Sequence, residues 1–125
     1  MTQILELINF GSKILKKNSI PSPQLDSELI LSNILKKSRE NMLISLDHSV
    51  SQKTKRKFNK FINRRVKKEP IAYILKEKEF WNRKFLVSYN TLIPRPETEL
   101  LVEKTLEYFK NKKINILDVG TGSGC

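Results

Sequence analysis

The sequence predicts an α-helical bundle at the N-terminus, a β-hairpin linker, and then the opening helix and strand of an α/β domain. Three observations carry this reading. Apolar residues recur at helical spacing through the first 68 positions. Aromatic and β-branched residues flank an Asn-Arg step soon after Pro70. An apolar run, Ile114 to Val119, leads directly into glycines at every second position. The corresponding segments are 1–68, 69–93 and 94–125.

The first helix places Ile4, Leu7, Ile8, Gly11, Ile14 and Leu15 on one face, at i, i+3, i+4 spacing. Pro21 and Pro23 break helical continuity, and Ser22-Pro23 forms an N-cap and N1 pair for the second helix. That helix runs to about Lys37 and buries Leu25, Leu29, Ile30, Ile34 and Leu35. Ser38 caps a short third helix leading through Met42, Leu43 and Leu46. Ser49 or Ser51 caps a long basic helix, which ends near Pro70 because proline disfavours helical geometry at Glu69. A β-prone stretch is expected at Tyr73–Leu75. A short hairpin joins Phe80-Trp81 to Phe85-Leu86-Val87 through Asn82-Arg83. Pro94 and Pro96 fix an extended loop, and a helix starting at Pro96-Glu97 or Thr98 follows, marked by Leu100, Leu101, Lys104, Leu106 and Phe109. Ile114–Val119 reads as a buried parallel strand with Asp118 near its carboxyl end.

With 125 residues, 38% hydrophobic and 30% charged, the chain fits a soluble globular protein and not a disordered tail. No apolar run reaches membrane-spanning length, and the N-terminus reads as an amphipathic helix and not a signal peptide. One cysteine, Cys125, excludes an internal disulfide, so a cytoplasmic setting is expected. With no Cys or His companion, Cys125 reads as a small apolar residue and His48 as a surface residue; no metal site is expected. The net charge of +11 is concentrated: Lys53 to Lys68 carries nine basic residues and no acidic one. Phe58, Phe61, Ile62 and Val66 form a core-facing stripe within it. The opposite, cationic face admits two readings, a solvated surface or an electrostatic footprint for RNA, the ribosome or an acidic partner.

Asp118, Gly120, Gly122 and Gly124 form D-x-G-x-G-x-G directly after the expected strand. Glycines allow a tight strand-to-helix turn and let main-chain N–H groups approach a ligand. The Lys and Ser/Thr of a phosphate-binding P-loop are missing, and the third glycine comes one residue early for a dinucleotide fingerprint. The spacing fits instead the nucleoside-methionine loop of S-adenosylmethionine (SAM) methyltransferases.

Taken together, "EPIAYILKEKEFW", "NTLIPRPETELLVE" and "ILDVGTGSGC" resemble the N-terminal half of the peptide-chain release factor glutamine N5-methyltransferase family (PrmC/HemK). The order and spacing of the three segments match, behind a helical domain, and "IPRPETE" is the most discriminating piece. Two departures are local. Lys76 stands where the family commonly has a glycine after Tyr-Ile-Leu, and Asn82 where another is often seen.

The resemblance implies that residues 94–125 are the start of a Rossmann-like α/β SAM-dependent methyltransferase domain, truncated after Cys125. It implies a monomer whose helical domain recognises release factors. Asp118, Gly120, Thr121, Gly122, Ser123 and Gly124 are then cofactor-binding, with Arg95 and Glu97 near them, and Thr98 and Glu99 either join that site or merely begin a helix. The family's substrate-binding Asn-Pro-Pro-Tyr motif does not occur here, so no catalytic residue is expected within this chain. The chain alone is expected to be inactive, with little affinity for SAM. The competing reading is a non-catalytic basic helical module that binds ribosomal RNA or the ribosome through Lys53–Lys68.

Overall fold

A computed structural model of the protein describes residues 2–125. They divide into two compact units, Met1–Leu75 and Lys76–Cys125.

The first unit is a helical bundle. A two-residue strand β1 (Thr2–Gln3) pairs antiparallel with β2 (Ser49–Val50), in register Thr2 with Val50 and Gln3 with Ser49. The Ile4 N–H then donates to the His48 carbonyl at 3.0 Å, which ties the start of α1 (Ile4–Lys17) to the segment before α4. The Gln3 N–H donates to Glu6 Oε2 at 2.9 Å, so a carboxylate satisfies an otherwise free donor at the positive end of the helix. Lys16 and Lys17 occupy the last turn, where the dipole favours cations. Ile4, Leu7, Ile8, Gly11 and Leu15 are buried, as the periodicity predicts, and Ile14 is half-buried.

At Gly11 the helices come unusually close. A Cβ there would lie 2.6 Å from Ser27 Oγ and 2.7 Å from Phe58 Cζ. Only a missing side chain lets α1 meet both α2 (Pro23–Leu35) and α4 (Gln52–Val66) at this level. The Ser27 hydroxyl in turn donates to the Ile8 carbonyl at 2.9 Å.

Helix α2 departs from the expected single stripe. Leu25 is exposed, Leu29, Ile34 and Leu35 are half-buried, and the buried set is Asp26, Ser27, Glu28, Ile30, Leu31 and Ser32. The reason is position: α2 packs against α1, α3 (Arg39–Leu43), α4 and α5 (Ile71–Leu75), so nearly its whole circumference is covered. The polar groups buried in this way are partnered, as burial demands. Asp26 Oδ2 accepts from Arg65 Nε at 2.7 Å, and Glu28 accepts from Arg39 at 2.6 Å and from Gln24 at 2.8 Å. The helix ends at Leu35, two residues early, because Lys36 turns left-handed at φ +55°. Ser22 occupies the N-cap position before Pro23, but its side chain makes no capping hydrogen bond.

Two other caps form through their hydroxyls. Ser38 Oγ accepts from the Asn41 N–H at 3.2 Å, and Ser51 Oγ from the Thr54 N–H at 3.1 Å. Ser51 therefore caps α4, and Ser49 belongs to β2. Phe58 and Ile62 of α4 are fully buried, with Phe61 and Val66 packed against the same core. Burying such a side chain contributes about 1.5–3 kcal/mol.

Tyr73–Leu75 is not extended; it belongs to the short helix α5. The Pro70 carbonyl accepts from the Tyr73 and Ile74 N–H groups at 3.0 and 3.2 Å, which closes a helical turn. Ala72 and Ile74 are buried, so packing overrides β-propensity here.

The second unit holds β3 (Glu77–Phe80) and β4 (Arg83–Leu86), an antiparallel hairpin pairing Phe80 with Arg83 and Glu77 with Leu86. Its turn is Trp81-Asn82, one residue earlier than expected. Both residues have positive φ, +51° and +54°, as the favoured two-residue hairpin turn requires, and Asn accepts that conformation readily. Phe80 and Phe85 meet edge-to-face at 6.1 Å. Lys76 is also left-handed, at φ +62°, so both positions where the resemblance expects glycine have the backbone that glycine favours. Helix α6 (Glu97–Phe109) follows the proline loop and buries none of its residues.

Ile114–Val119 forms no strand, and Ile116, Leu117 and Val119 are largely exposed. A parallel strand exists only beside neighbours that take up its N–H and C=O groups. Among the described residues the two sheets are both two-stranded and antiparallel, and neither includes this segment.

Candidate functional site

The glycine loop, the proline loop and one side of α6 surround a groove of about 690 Å³ in the second unit. Pro94 and Pro96 hold the chain before α6 out of helical geometry until Pro96, and the Thr98 N–H closes the first turn on the Arg95 carbonyl at 3.1 Å. Arg95 thus stands at the groove's edge beside the helix start, with Thr98, Leu101 and Val102 of α6 along its wall.

The opposite wall is Asp118, Gly120, Thr121, Gly122 and Ser123. Gly120, Gly122 and Gly124 all have positive φ, +79°, +56° and +81°. A Cβ at Gly120 or Gly124 would meet nothing within 4 Å, so the left-handed backbone, and not crowding, is what asks for glycine. The Gly124 N–H donates to the Thr121 carbonyl at 2.9 Å, closing a tight turn. Ser123 Oγ is buried without a hydrogen-bond partner.

Six of the seven expected cofactor-site residues therefore line one groove: Arg95, Asp118, Gly120, Thr121, Gly122 and Ser123. Gly124 closes the loop from outside it. Of the two residues with two readings, Thr98 lines the groove, whereas Glu99 accepts the Trp81 N–H through Oε1 at 2.9 Å and so links the hairpin turn to the start of α6. The apolar wall from Leu101 and Val102 was not singled out by sequence reasoning. The available signal was that α6 has apolar residues on both sides of its course, more than one packed face uses.

Among the described residues no group of three or more His, Cys, Asp or Glu could hold a metal ion. No helix is long and apolar enough to cross a membrane.

The fold and the groove together define a helical unit followed in the chain by a unit that carries the glycine loop. The family model described as PrmC N-terminal domain matches residues 6–75, more than half of the chain. The chain belongs to that family. Its relatives include a release factor glutamine methyltransferase of Buchnera aphidicola from Acyrthosiphon pisum, 46% identical over 111 residues, which cover 89% of this chain and 40% of the relative. Another, from Leptospira interrogans, is 42% identical over 124 residues, 98% of this chain and 43% of that protein. A third, from Buchnera aphidicola of Baizongia pistaciae, is 46% identical over 98% of this chain and 44% of its own length. The chain spans less than half the length of each of these relatives.

Proposed function

We propose that this chain supplies the release-factor recognition unit and the first part of the cofactor site of a SAM-dependent methyltransferase. Its substrate is the side-chain amide of the glutamine in the Gly-Gly-Gln loop of peptide-chain release factors. The observation that carries this reading is the convergence of Arg95, Asp118 and the left-handed Gly120 and Gly122 on one open groove, in a chain of this family. Residues 94–125 are then the opening of a Rossmann-like domain, and the enzyme is a cytoplasmic monomer.

The groove suits a nucleoside-methionine ligand. Its glycines leave main-chain N–H groups approachable, Ser123 Oγ has unused hydrogen-bonding capacity, and Leu101 and Val102 offer apolar surface. Bound there, SAM supplies a methyl group on a positively charged sulfur. Asp118, Thr121 and Ser123 would fix its polar groups, with Arg95 at the rim. An amide nitrogen is a poor nucleophile because its lone pair is delocalised into the carbonyl, so such a site works mainly by orientation and hydrogen bonding. The groups touching the amide belong to an Asn-Pro-Pro-Tyr motif that is not in this sequence, and none of this chain's residues is assigned that role.

For this chain alone we expect no turnover and little SAM affinity, because Ile114–Val119 is unpaired and exposed and leaves the loop poorly anchored. Calorimetric titration with SAM checks this; tight binding would refute it. The activity is tested with a chimera in which the remaining sequence of the Acyrthosiphon-symbiont relative follows Cys125. Given labelled SAM and a release factor, the chimera should label the Gly-Gly-Gln glutamine, and Gly122→Val should cut the rate at least about tenfold, a barrier change of about 1.4 kcal/mol. A release factor left unlabelled by the folded chimera would sink the proposal.

A further inference from the structure

Helix α4 carries a cationic surface that the methyltransferase reading does not use. Of the nine cations from Lys53 to Lys68, four are engaged inside the helical unit, among them half-buried Lys55, which donates to Thr2 Oγ1 at 3.2 Å. Arg65 pairs with Asp26, Arg64 with Glu69, and Lys68 donates to the Asn18 and Ser19 carbonyls. Lys53, Arg56, Lys57, Lys60 and Lys67 are exposed, and among the described residues none of the five pairs with a carboxylate.

Their placement is regular. At 3.6 residues per turn, positions 53, 56, 57, 60 and 67 fall within an arc of about 100°, centred opposite Ile62. They extend over about 21 Å of helix axis. No acidic residue interrupts them, so neighbouring cations at i, i+3 and i, i+4 repel one another and destabilise the free helix. The one aromatic ring beside the stripe, Phe61, packs against the core and has Lys57 Nζ and Arg64 Cζ each 5.5 Å from its centroid.

We propose that this stripe binds the phosphate backbone of double-stranded RNA. A protein partner would need apolar or aromatic anchors at the centre of the contact, where lysine is depleted; this face offers only Lys, Arg and amide side chains. Single-stranded RNA is held by stacking on exposed aromatic rings, and none projects from the stripe. A straight row of point charges suits instead the regular phosphate rows of an A-form duplex, recognised by shape and backbone and not by base edges. The inference is independent of the reading of the glycine loop.

The test is fluorescence anisotropy with the 125-residue chain and a labelled 20-base-pair RNA duplex over a range of salt concentrations. A DNA duplex of the same length and polyglutamate serve as competitors. The expected result is RNA binding that weakens steeply with salt and is displaced poorly by either competitor. The variant Lys53→Gln/Arg56→Gln/Lys57→Gln/Lys60→Gln should keep its far-UV circular dichroism, lose at least about tenfold in affinity, and flatten the salt slope by about three. Removing four charges elsewhere, Lys37→Gln/Lys110→Gln/Lys112→Gln/Lys113→Gln, should leave both nearly unchanged. Equal loss in that second variant, or no binding at low salt, would overturn the proposal. Displacement by DNA or polyglutamate as effective as by RNA itself would overturn the assignment to duplex RNA.

Discussion

The two units of this chain contrast in how they use their apolar residues. In Met1–Leu75 they meet in one core: Leu7, Ile8, Leu15, Ile30, Leu31, Met42, Phe58 and Ile62 are almost fully buried, and the buried carboxylates Asp26 and Glu28 are both paired. In Lys76–Cys125, α6 buries nothing, and Leu100, Leu101, Leu106, Ile116, Leu117 and Val119 are all exposed. Similar side chains thus do different work. Three long helices, α1, α2 and α4, with the short α3 and α5 can enclose a volume among themselves, whereas a hairpin and one helix cannot. The first unit satisfies itself, and the second presents an open groove with apolar walls.

This contrast can be broken by mutation. The largest effect is expected at Phe58, which is wholly buried between α1, α2 and α4. Phe58→Ala should destabilise the helical unit by about 3–5 kcal/mol, read as an early loss of far-UV circular dichroism in urea, while the fluorescence of Trp81, the sole tryptophan, follows the second unit separately. Coincident shifts of both signals would mean that the units unfold as one. Arg65→Ala comes next. It would strand Asp26, whose side chain is only 7% exposed, and should cost about 3 kcal/mol in the same urea titration, with Asp26→Asn in the Arg65→Ala background recovering part of it.

Smaller effects probe the second unit. Lys76→Gly places glycine on a left-handed backbone and should raise stability by about 0.5–1 kcal/mol, seen as a later Trp81 transition. Leu101→Ala should change stability by no more than about 0.5 kcal/mol, because the side chain is 67% exposed. A cost like that of Phe58→Ala would show that α6 is packed in solution and would end the contrast.

Most of the helical unit was legible in the sequence because its signals are local. The face of α1, the caps at Ser38 and Ser51 and the Phe58–Ile62 stripe each depend on spacing within one or two turns, and all appear as read. The misreadings have non-local causes. Leu25 is exposed and Asp26 buried because α2 is surrounded by four other helices, which its own pattern cannot reveal. Tyr73–Leu75 is helical because Pro70 starts a turn and Ala72 and Ile74 find a buried place. The hairpin turn moved one residue because register is set by cross-strand pairing and by which residues accept positive φ. For the candidate site, the glycine loop and Arg95 were visible as motifs, but their shared groove and its α6 wall were not, since 21 residues of chain lie between Pro96 and Asp118.

By itself the sequence determined the helices with strong periodicity, the left-handed glycines at 120, 122 and 124, and the concentration of charge between Lys53 and Lys68. These are properties of neighbouring residues and their backbone preferences. Only the tertiary structure decided that Gly11 must stay bare beneath Ser27 and Phe58, and that Asp26 is buried with Arg65 as its partner. It also decided that Ile114–Val119 makes no strand here: the apolar pattern supplies the side chains of a buried strand, but its backbone hydrogen bonds require neighbours that local sequence cannot provide.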